Sequence, residues 1–484
     1  MEGGNLRINI SQLLDKAQAF KIRKFDNSGL SSKNKPQNIQ KMKNSKPHSK
    51  TLPTIQASDL PPAVRVFWNT APNHFKIASI LSAITCYCAL GTRLRAKYVY
   101  DLEPHALLLQ VLILGEPGSG KSFTRPMVKQ LMRPLKLKDA EQKRIEQAYQ
   151  DLKKTAAKNK QLPEEPITVS RIINTITKAK LVKRADMMVR KYGSPLSFFF
   201  FSEELATMTE SNKRAFADLN TMDRLAYDLG AEYSSDTLSD ASYNADVDII
   251  YNSLFCGTEN ALNEYINKRA IEGGNCTRKV LVQIDDDLMG EDAPVFRRQN
   301  EEEAQLVNST VERLMRETYT EDDLIQDIHN IPTDWLEYAV KKWCSEQRQQ
   351  ILKTGSRALN CFYKRSSVSA WRIACMCYHL WGEDVKHQAK CIRIYRFMAQ
   401  FILDGLLSKW GKQYELMHKG EGEDEGNKIS LYDQLPKQFS RDQLRETIIK
   451  LDLSTPERIF INKWKRTKMV YQPDTSQEIY VKNY

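Results

Sequence analysis

The chain lacks any run of about 20 apolar residues, the length a membrane-spanning helix needs, so no membrane span is expected. Its first ten residues lack the apolar centre of a secretory signal. Its nine cysteines include no Cys-x-x-Cys pair and no zinc-finger spacing with histidine. They sit among apolar neighbours, so reduced thiols of a cytoplasmic protein are expected. There is no internal repeat. What is present is an ordinary globular composition, 41% hydrophobic and 27% charged over 484 residues. That length suits roughly two to four domains.

The net charge of +12 is unevenly placed. Residues 1–57 hold eleven Lys/Arg against three acids, a net of +8, and residues 427–484 hold eleven against seven, a net of +4. The middle of the chain is therefore near neutral. Two basic ends suit a polyanion such as nucleic acid, and equally a basic solvating tail.

Composition shifts divide the chain into a basic arm (1–57), a helical N-terminal subdomain (58–105), an α/β core (106–298), a helical region (299–418), an acidic linker (419–428) and a C-terminal unit (429–484). The arm is polar and basic and is expected to be disordered beyond a short amphipathic stretch. The next segment reads as helices separated at Ala71-Pro72. In the core, five apolar runs read as strands: 106–114, 167–173, 198–201, 247–258 and 278–284. Helical segments alternate with them, one charged and solvated (136–160) and one capped by Thr175. The pattern predicts an α/β fold with a mostly parallel sheet flanked by helices.

The first strand runs into "GEPGSGKS", Gly115 to Ser122, and then into a helical segment. This is the G-x-x-x-x-G-K-[ST] phosphate loop in its required context. Gly115, Glu116, Pro117, Gly118, Ser119, Gly120, Lys121, Ser122 and Phe123 are the candidate nucleotide-binding residues. Glycines let backbone N–H groups wrap phosphates, Lys121 reaches the β- and γ-phosphates, and Ser122 ligates Mg²⁺. ATP and Mg²⁺ are thus the expected ligands. Pro126 predicts a kink or a short first helical segment.

The third strand, "FFFFSEEL", delivers Glu203 and Glu204 to the same sheet edge, where such sheets bind ligands. Hydrolysis needs a carboxylate near the metal and a group that orients water. Adjacent strand residues point to opposite faces, so Glu203 and Glu204 do not serve equally, and the residue types leave both open. Ser202 stands where such strands usually carry aspartate. The tail reads as three short helices and a hairpin: "LYDQLP", "SRDQLRETIIKL" capped by Ser440, "STPERIFINKWKRTK" with Ser454 and Pro456 at its start, and "MVYQPDTSQEIYVKNY". That pattern is a winged helix-turn-helix. Its third helix would offer Arg458, Asn462, Lys463, Lys465 and Arg466 to DNA, and Tyr471 and Lys482 would lie in the wing.

With these motifs in view, the chain resembles a domain-of-unknown-function family of P-loop proteins on bacterial mobile elements and phages, described as primase-helicase-like or AAA+-like. The resemblance covers about residues 60–410. In that family the apolar strand is followed by Phe-Asp-Thr-Glu, which "FSEE" matches with Ser202 for Asp, so the resemblance favours Glu204 as catalytic over Glu203. "LFCGTEN" resembles a Ser-Gly-Thr-Pro strand end and implies Thr258 or Asn260 as a γ-phosphate sensor. "EGGNCTRKVLV" resembles a Gly-x-x-Ser-Arg-Phe segment and implies Arg278 as an arginine finger reaching a neighbouring subunit. Arg372 resembles a nucleotide-contacting arginine of a helical lid, with Arg365 its competitor. The resemblance also implies a sheet order 5-1-4-3-2 and a homo-oligomeric ring, expected as a hexamer. The expected activity is an ATP-dependent DNA motor, a replicative helicase or helicase-like ATPase. The alternative is a DNA-binding initiator or regulator that uses ATP as an assembly switch.

Overall fold

The structure, a computed structural model, describes residues 54–155, 163–207, 219–228, 232–235, 245–284, 295–417, 435–450, 457–466, 470–474 and 477–482. The basic arm up to residue 53, the acidic linker, the first tail helix up to residue 434, Ser454 and Pro456 lie outside the described residues.

Helix α1 (Pro62–Thr70) starts on a proline whose missing N–H costs nothing in a first turn. It stops at Ala71, which the following Pro72 forces into the extended region (φ −90°, ψ 141°). Helix α2 (Lys76–Leu90) is buried on every side from Ala78 to Leu90 and lies against the main sheet. Its composition is apolar all round, as a core helix requires. Two short strands follow, β1 (Leu94–Lys97) and β2 (Pro104–Ala106), paired antiparallel.

Strand β3 (Gln110–Leu114) is fully buried. It is shorter than the apolar run from Ala106, because Ala106 ends β2 in a different sheet. A 3₁₀ turn (Lys121–Phe123) leads into α3 (Thr124–Leu131). Pro126 thereby falls in the first turn of α3, where no helical hydrogen bond is lost, and the short initial segment expected from it is present. Helix α4 (Arg133–Thr155) is solvated along most of its length but buries Asp139. The Asp139 carboxylate accepts the backbone N–H groups of Arg171 (3.0 Å) and Ile172 (2.7 Å) and so anchors β4 (Ile172–Ile173). Helix α5 (Lys178–Tyr192) is capped by Thr177, whose hydroxyl accepts from Lys180 N–H at 3.4 Å, two residues later than Thr175. It ends on Gly193 at φ 68°.

Strand β5 (Phe198–Ser202) is buried from Phe198 to Phe200 and half-buried beyond. After α6 (Leu219–Leu225) come β6 (Glu232–Ser235) and β7 (Ala245–Asp248), an antiparallel pair. The fourth predicted strand is therefore split, and its second part is β8 (Tyr251–Gly257). Helices α7 (Glu259–Tyr265) and α8 (Lys268–Glu272) precede β9 (Lys279–Gln283). The five long-range strands form one parallel sheet in the order β4-β5-β8-β3-β9. This is the 5-1-4-3-2 order read from the other side.

Helix α9 (Glu301–Thr318) opens with a capping box between Asn300 and Glu303. Strand β10 (His329–Ile331) then adds in parallel to β1, giving a small sheet β10-β1-β2 absent from the sequence reading. Helices α10 (Asp334–Thr354), α11 (Arg357–Leu380) and α12 (Gln388–Leu406) complete the helical region. One continuous hydrophobic core, from Ile55 to Trp410, joins these helices to the sheet. All nine cysteines are free, eight of them buried.

The tail has its own small core, which includes Leu444, Phe460, Trp464 and Tyr480. It consists of β11 (Gln438–Ser440), α13 (Arg441–Lys450), α14 (Glu457–Arg466), β12 (Val470–Tyr471) and β13 (Ile479–Lys482). Ser440 caps α13: its hydroxyl accepts from Gln443 N–H at 3.2 Å while Gln443 Oε1 accepts from Ser440 N–H at 2.9 Å. The strands form an antiparallel sheet β11-β13-β12, one strand more than the predicted hairpin.

Candidate functional site

A parallel sheet presents the ends of its strands on one edge. Here the C-terminal ends of β3, β5 and β8 meet around a cleft of about 560 Å³ lined by Gly118, Lys121, Ser122, Arg125, Glu203, Glu204, Leu205 and Thr258 among others. Segments far apart in sequence reach one place because the order sets β8 between β3 and β5.

The loop after β3 is shaped by two glycines in the left-handed region, Gly118 at φ 84° and Gly120 at φ 81°, where a side chain would be strained. It is tied to β8 by Gly115 N–H donating to Gly257 O at 3.2 Å. Lys121 Nζ folds back and donates to Gly115 O (2.7 Å), Glu116 O (2.6 Å) and Ser119 Oγ (3.2 Å). Partial burial lowers its pKa, and Cys256 and Glu116 oppose that shift. Phe123 is buried and stacks on Phe296 at 5.1 Å, so it anchors the loop by packing its ring into the core. Ser122 is exposed on the cleft.

Both acids line the cleft, and they differ in what holds them. Glu203 takes a two-pronged ion pair from Arg125 of α3, with Nε to Oε1 at 2.6 Å and an Nη to Oε2 at 2.5 Å. Its side chain is 24% exposed and Arg125 70%, so the clamp is open to solvent. The Glu204 carboxylate makes no hydrogen bond among the described residues, and the residue is exposed. Ser202 is turned to local use: its hydroxyl donates to Glu204 O (2.8 Å) and accepts from Glu204 N–H (3.3 Å), fastening the turn after β5. Oxygen donors from Ser122, Glu203 and Glu204 on one cleft suit a hard cation such as Mg²⁺.

Thr258 caps α7, its hydroxyl accepting from Ala261 N–H at 3.4 Å, and lines the cleft. Asn260 is exposed in the first turn of α7 and is not among the residues lining the cleft. Gly257 ends β8 so close to the turn after β5 that a Cβ there would stand 2.8 Å from Leu205 Cβ.

Arg278 and Arg372 stand at the opposite edge of the sheet. Arg278 precedes β9, donates to Gly274 O at 3.1 Å and lies 5.9 Å from the Tyr227 ring. Its pKa is lowered by burial and by Arg365, and its Nε has no hydrogen-bond partner among the described residues. Arg372, expected at the nucleotide, is instead 1% exposed and spent on Leu108 O (3.0 Å), Asp228 Oδ1 (3.2 Å) and the Tyr227 ring (4.1 Å). Leu108 precedes β3, so the whole length of that strand separates Arg372 from the glycine-rich loop of its own chain. Arg365 shares Asp228 at 3.3 Å.

In the tail, Arg458, Asn462, Lys465 and Arg466 are exposed on α14, which also carries Lys463. Lys465 Nζ donates to Gln472 Oε1 at 2.6 Å. Tyr471 is exposed. Lys482, read as a wing cation, is buried instead and donates to Leu435 O at 2.7 Å, because alternation in β13 turns it inward. Among the described residues, no helix is long and apolar enough to cross a membrane. Arg125 was not visible to sequence reasoning, since it lies on the first helix turns beyond the motif and no spacing marks it. The chain matches no protein-family model and no curated protein sequence.

Proposed function

We propose that this chain is a Mg²⁺-dependent ATPase whose work is done on DNA, as a motor of a mobile genetic element assembled into a ring. The observation that carries the reading is the single cleft that gathers a glycine-rich loop with its lysine, two carboxylates from β5 and Thr258 from β8. Backbone N–H groups of residues 118–121 hold the phosphates. Lys121 exchanges its loop carbonyls for β- and γ-phosphate oxygens. Ser122 contributes a hydroxyl to Mg²⁺, which when bound offsets charge developing on the phosphates. Glu203 orients the attacking water once Arg125 lets go of it, with Glu204, on the same cleft, as the alternative.

Arg278, on the far edge, fits a role in trans at a neighbour's nucleotide. The tail is a winged helix whose exposed α14 residues meet DNA, and the basic arm adds salt-dependent affinity.

A second reading, an ATP-dependent initiator or regulator, is favoured by two details: Glu203 is held by Arg125 and Ser202 is committed to its turn. Both suit slow hydrolysis and ATP used as an assembly signal. The deciding measurement is ATP turnover, with and without single-stranded DNA, for wild type and for Lys121→Ala, Glu203→Gln and Glu204→Gln. Lys121→Ala and Glu203→Gln are expected to abolish turnover, and Glu204→Gln to reduce it less. Wild-type turnover in Lys121→Ala refutes the ATPase. Turnover that DNA does not stimulate, with assembly that still requires ATP, selects the second reading.

A further inference from the structure

The cleft just described uses none of the histidines. Two of the seven come together elsewhere, where α9, β10 and the end of α11 meet. His329 opens β10, and its side chain is 51% exposed. His379 lies in the last turn of α11 and its side chain is 7% exposed. Both rings address one atom, Glu383 Oε1: His379 Nδ1 at 2.7 Å and His329 Nε2 at 2.5 Å. The three donor atoms lie within 4.8 Å of one another.

Glu383 is presented by an unusual backbone. Gly382 (φ 74°) and Glu383 (φ 58°) are both left-handed, a region that costs a non-glycine residue about 1 kcal/mol or more. The turn is held by Gly382 N–H to His379 O (2.9 Å), Glu383 N–H to Tyr378 O (3.0 Å) and Tyr378 OH to Glu383 O (2.6 Å). The fold thus maintains a strained glutamate between two imidazoles. The second nitrogen of His379, Nε2, meets Glu317 Oε2 of α9 at 2.8 Å. A carboxylate on the far nitrogen of a histidine is the arrangement that orients metal-binding imidazoles. A cavity of about 670 Å³, lined by Arg313, Glu317, Asp327, His329, His379 and Glu383 among others, opens beside the group. It leaves room for water at a fourth position.

We propose that His329 Nε2, His379 Nδ1 and Glu383 Oε1 form a binding site for a divalent ion of the zinc class, with Glu317 as the positioning carboxylate. Two nitrogens and one carboxylate oxygen are a donor set that suits Zn²⁺ or Co²⁺ and not Mg²⁺ or Ca²⁺. Metal–ligand bonds of about 2.0–2.1 Å place tetrahedral ligands roughly 3.3 Å apart, so the Glu383 oxygen needs to withdraw by less than about 1 Å and the two imidazole nitrogens, within 4.8 Å of each other, need to settle at that spacing. The ion clips β10 to the end of α11, and through Glu317 to α9. It thereby ties the small sheet to the helical region without touching the phosphate-loop cleft.

The test uses the full chain after chelator treatment, titrated with Co²⁺ and followed by its visible absorption, with Zn²⁺ as competitor. Thermal unfolding with and without Zn²⁺ is the second readout. Wild type is expected to bind one Co²⁺ with the bands of a tetrahedral or five-coordinate site and to melt higher in Zn²⁺. His329→Ala, whose ring is exposed and whose loss leaves the core intact, is expected to bind at least about tenfold more weakly and to lose the Zn²⁺ shift; Glu317→Gln is expected to weaken binding about tenfold. The proposal is overturned if wild type shows neither binding nor a shift. It is equally overturned if His329→Ala binds as well as wild type, which would assign the ion to other groups.

Discussion

Lys279 opens β9 at the edge of the sheet opposite the cleft, and its charge is buried. Its side chain is 0% exposed and that of its partner Asp223 2%. Lys279 Nζ donates to Asp223 Oδ2 at 2.6 Å and to Gln110 Oε1 at 2.8 Å. Asp223 also accepts from Tyr265 OH (2.6 Å), Asn275 Nδ2 (3.3 Å) and the Tyr251 hydroxyl. Burial lowers the Lys279 pKa, and Asp223 opposes the shift. Lys279→Met removes the only positive charge bonded to Asp223 among the described residues and leaves a buried carboxylate held by neutral donors. Removing one partner of such a pair costs about 3–5 kcal/mol, whereas neutralising both costs far less. The core from Ile55 to Trp410 spans some 350 residues, and an unfolding entropy of about 2.1 cal/mol/K per residue then sets roughly 0.75 kcal/mol per degree. Lys279→Met should therefore melt about 4–7 °C below wild type in a thermal scan followed by calorimetry. The double variant Asp223→Asn/Lys279→Met should recover most of that loss. If the single variant melts within a degree of wild type, or the double variant melts below the single one, the buried-charge argument fails.

Gly257→Ala drives a Cβ to 2.8 Å from Leu205 Cβ; overpacking of that kind costs about 1–3 kcal/mol and displaces the turn that carries Glu203. ATP turnover should fall about 10–100-fold while nucleotide affinity changes little, and an unchanged turnover number would sink the link between Leu205 and the acids. Asp323 is a pH-sensitive brace. Burial raises its pKa, but hydrogen bonds from Lys138 and Lys191 outweigh this and lower it overall. Its contribution, a few tenths to about 1 kcal/mol, is present above the unfolded carboxyl value near 4 and is lost as pH falls through the lower folded value. The stability gap between wild type and Asp323→Asn, measured by urea unfolding, should close progressively as the pH falls below about 4; a constant gap contradicts the ion-pair account. Arg458→Ala and Arg466→Ala should each weaken duplex binding and flatten its salt dependence by about one unit of slope, measured by fluorescence anisotropy across salt concentrations. Equal slopes for wild type and variants would remove α14 from the DNA reading.

Local features were legible wherever chemistry demands a short, contiguous pattern. The loop from Gly115 to Ser122 is such a pattern, since its turns need glycine where Gly118 and Gly120 take left-handed angles. The Phe198–Phe201 run announced a central strand for the same kind of reason: only burial on both faces tolerates it. The cap at Ser440 also follows from local hydrogen bonding. Boundaries set by partners were not legible. Thr177 caps α5 in place of Thr175, and β3 starts at Gln110 because Ala106 belongs to a neighbouring sheet.

The sequence by itself determined the α/β class, the glycine-rich loop, the acidic strand end and the basic tail helix, because each is carried by neighbours in the chain. Only the tertiary structure decided what meets what. It pairs Arg125 with Glu203 across 78 positions, buries Arg372 and Lys482 away from the roles their charge suggests, and brings His329, His379 and Glu383 onto one point. Such contacts depend on strand order and helix docking. A side chain's charge is written in the chain, but its partner is chosen by the fold.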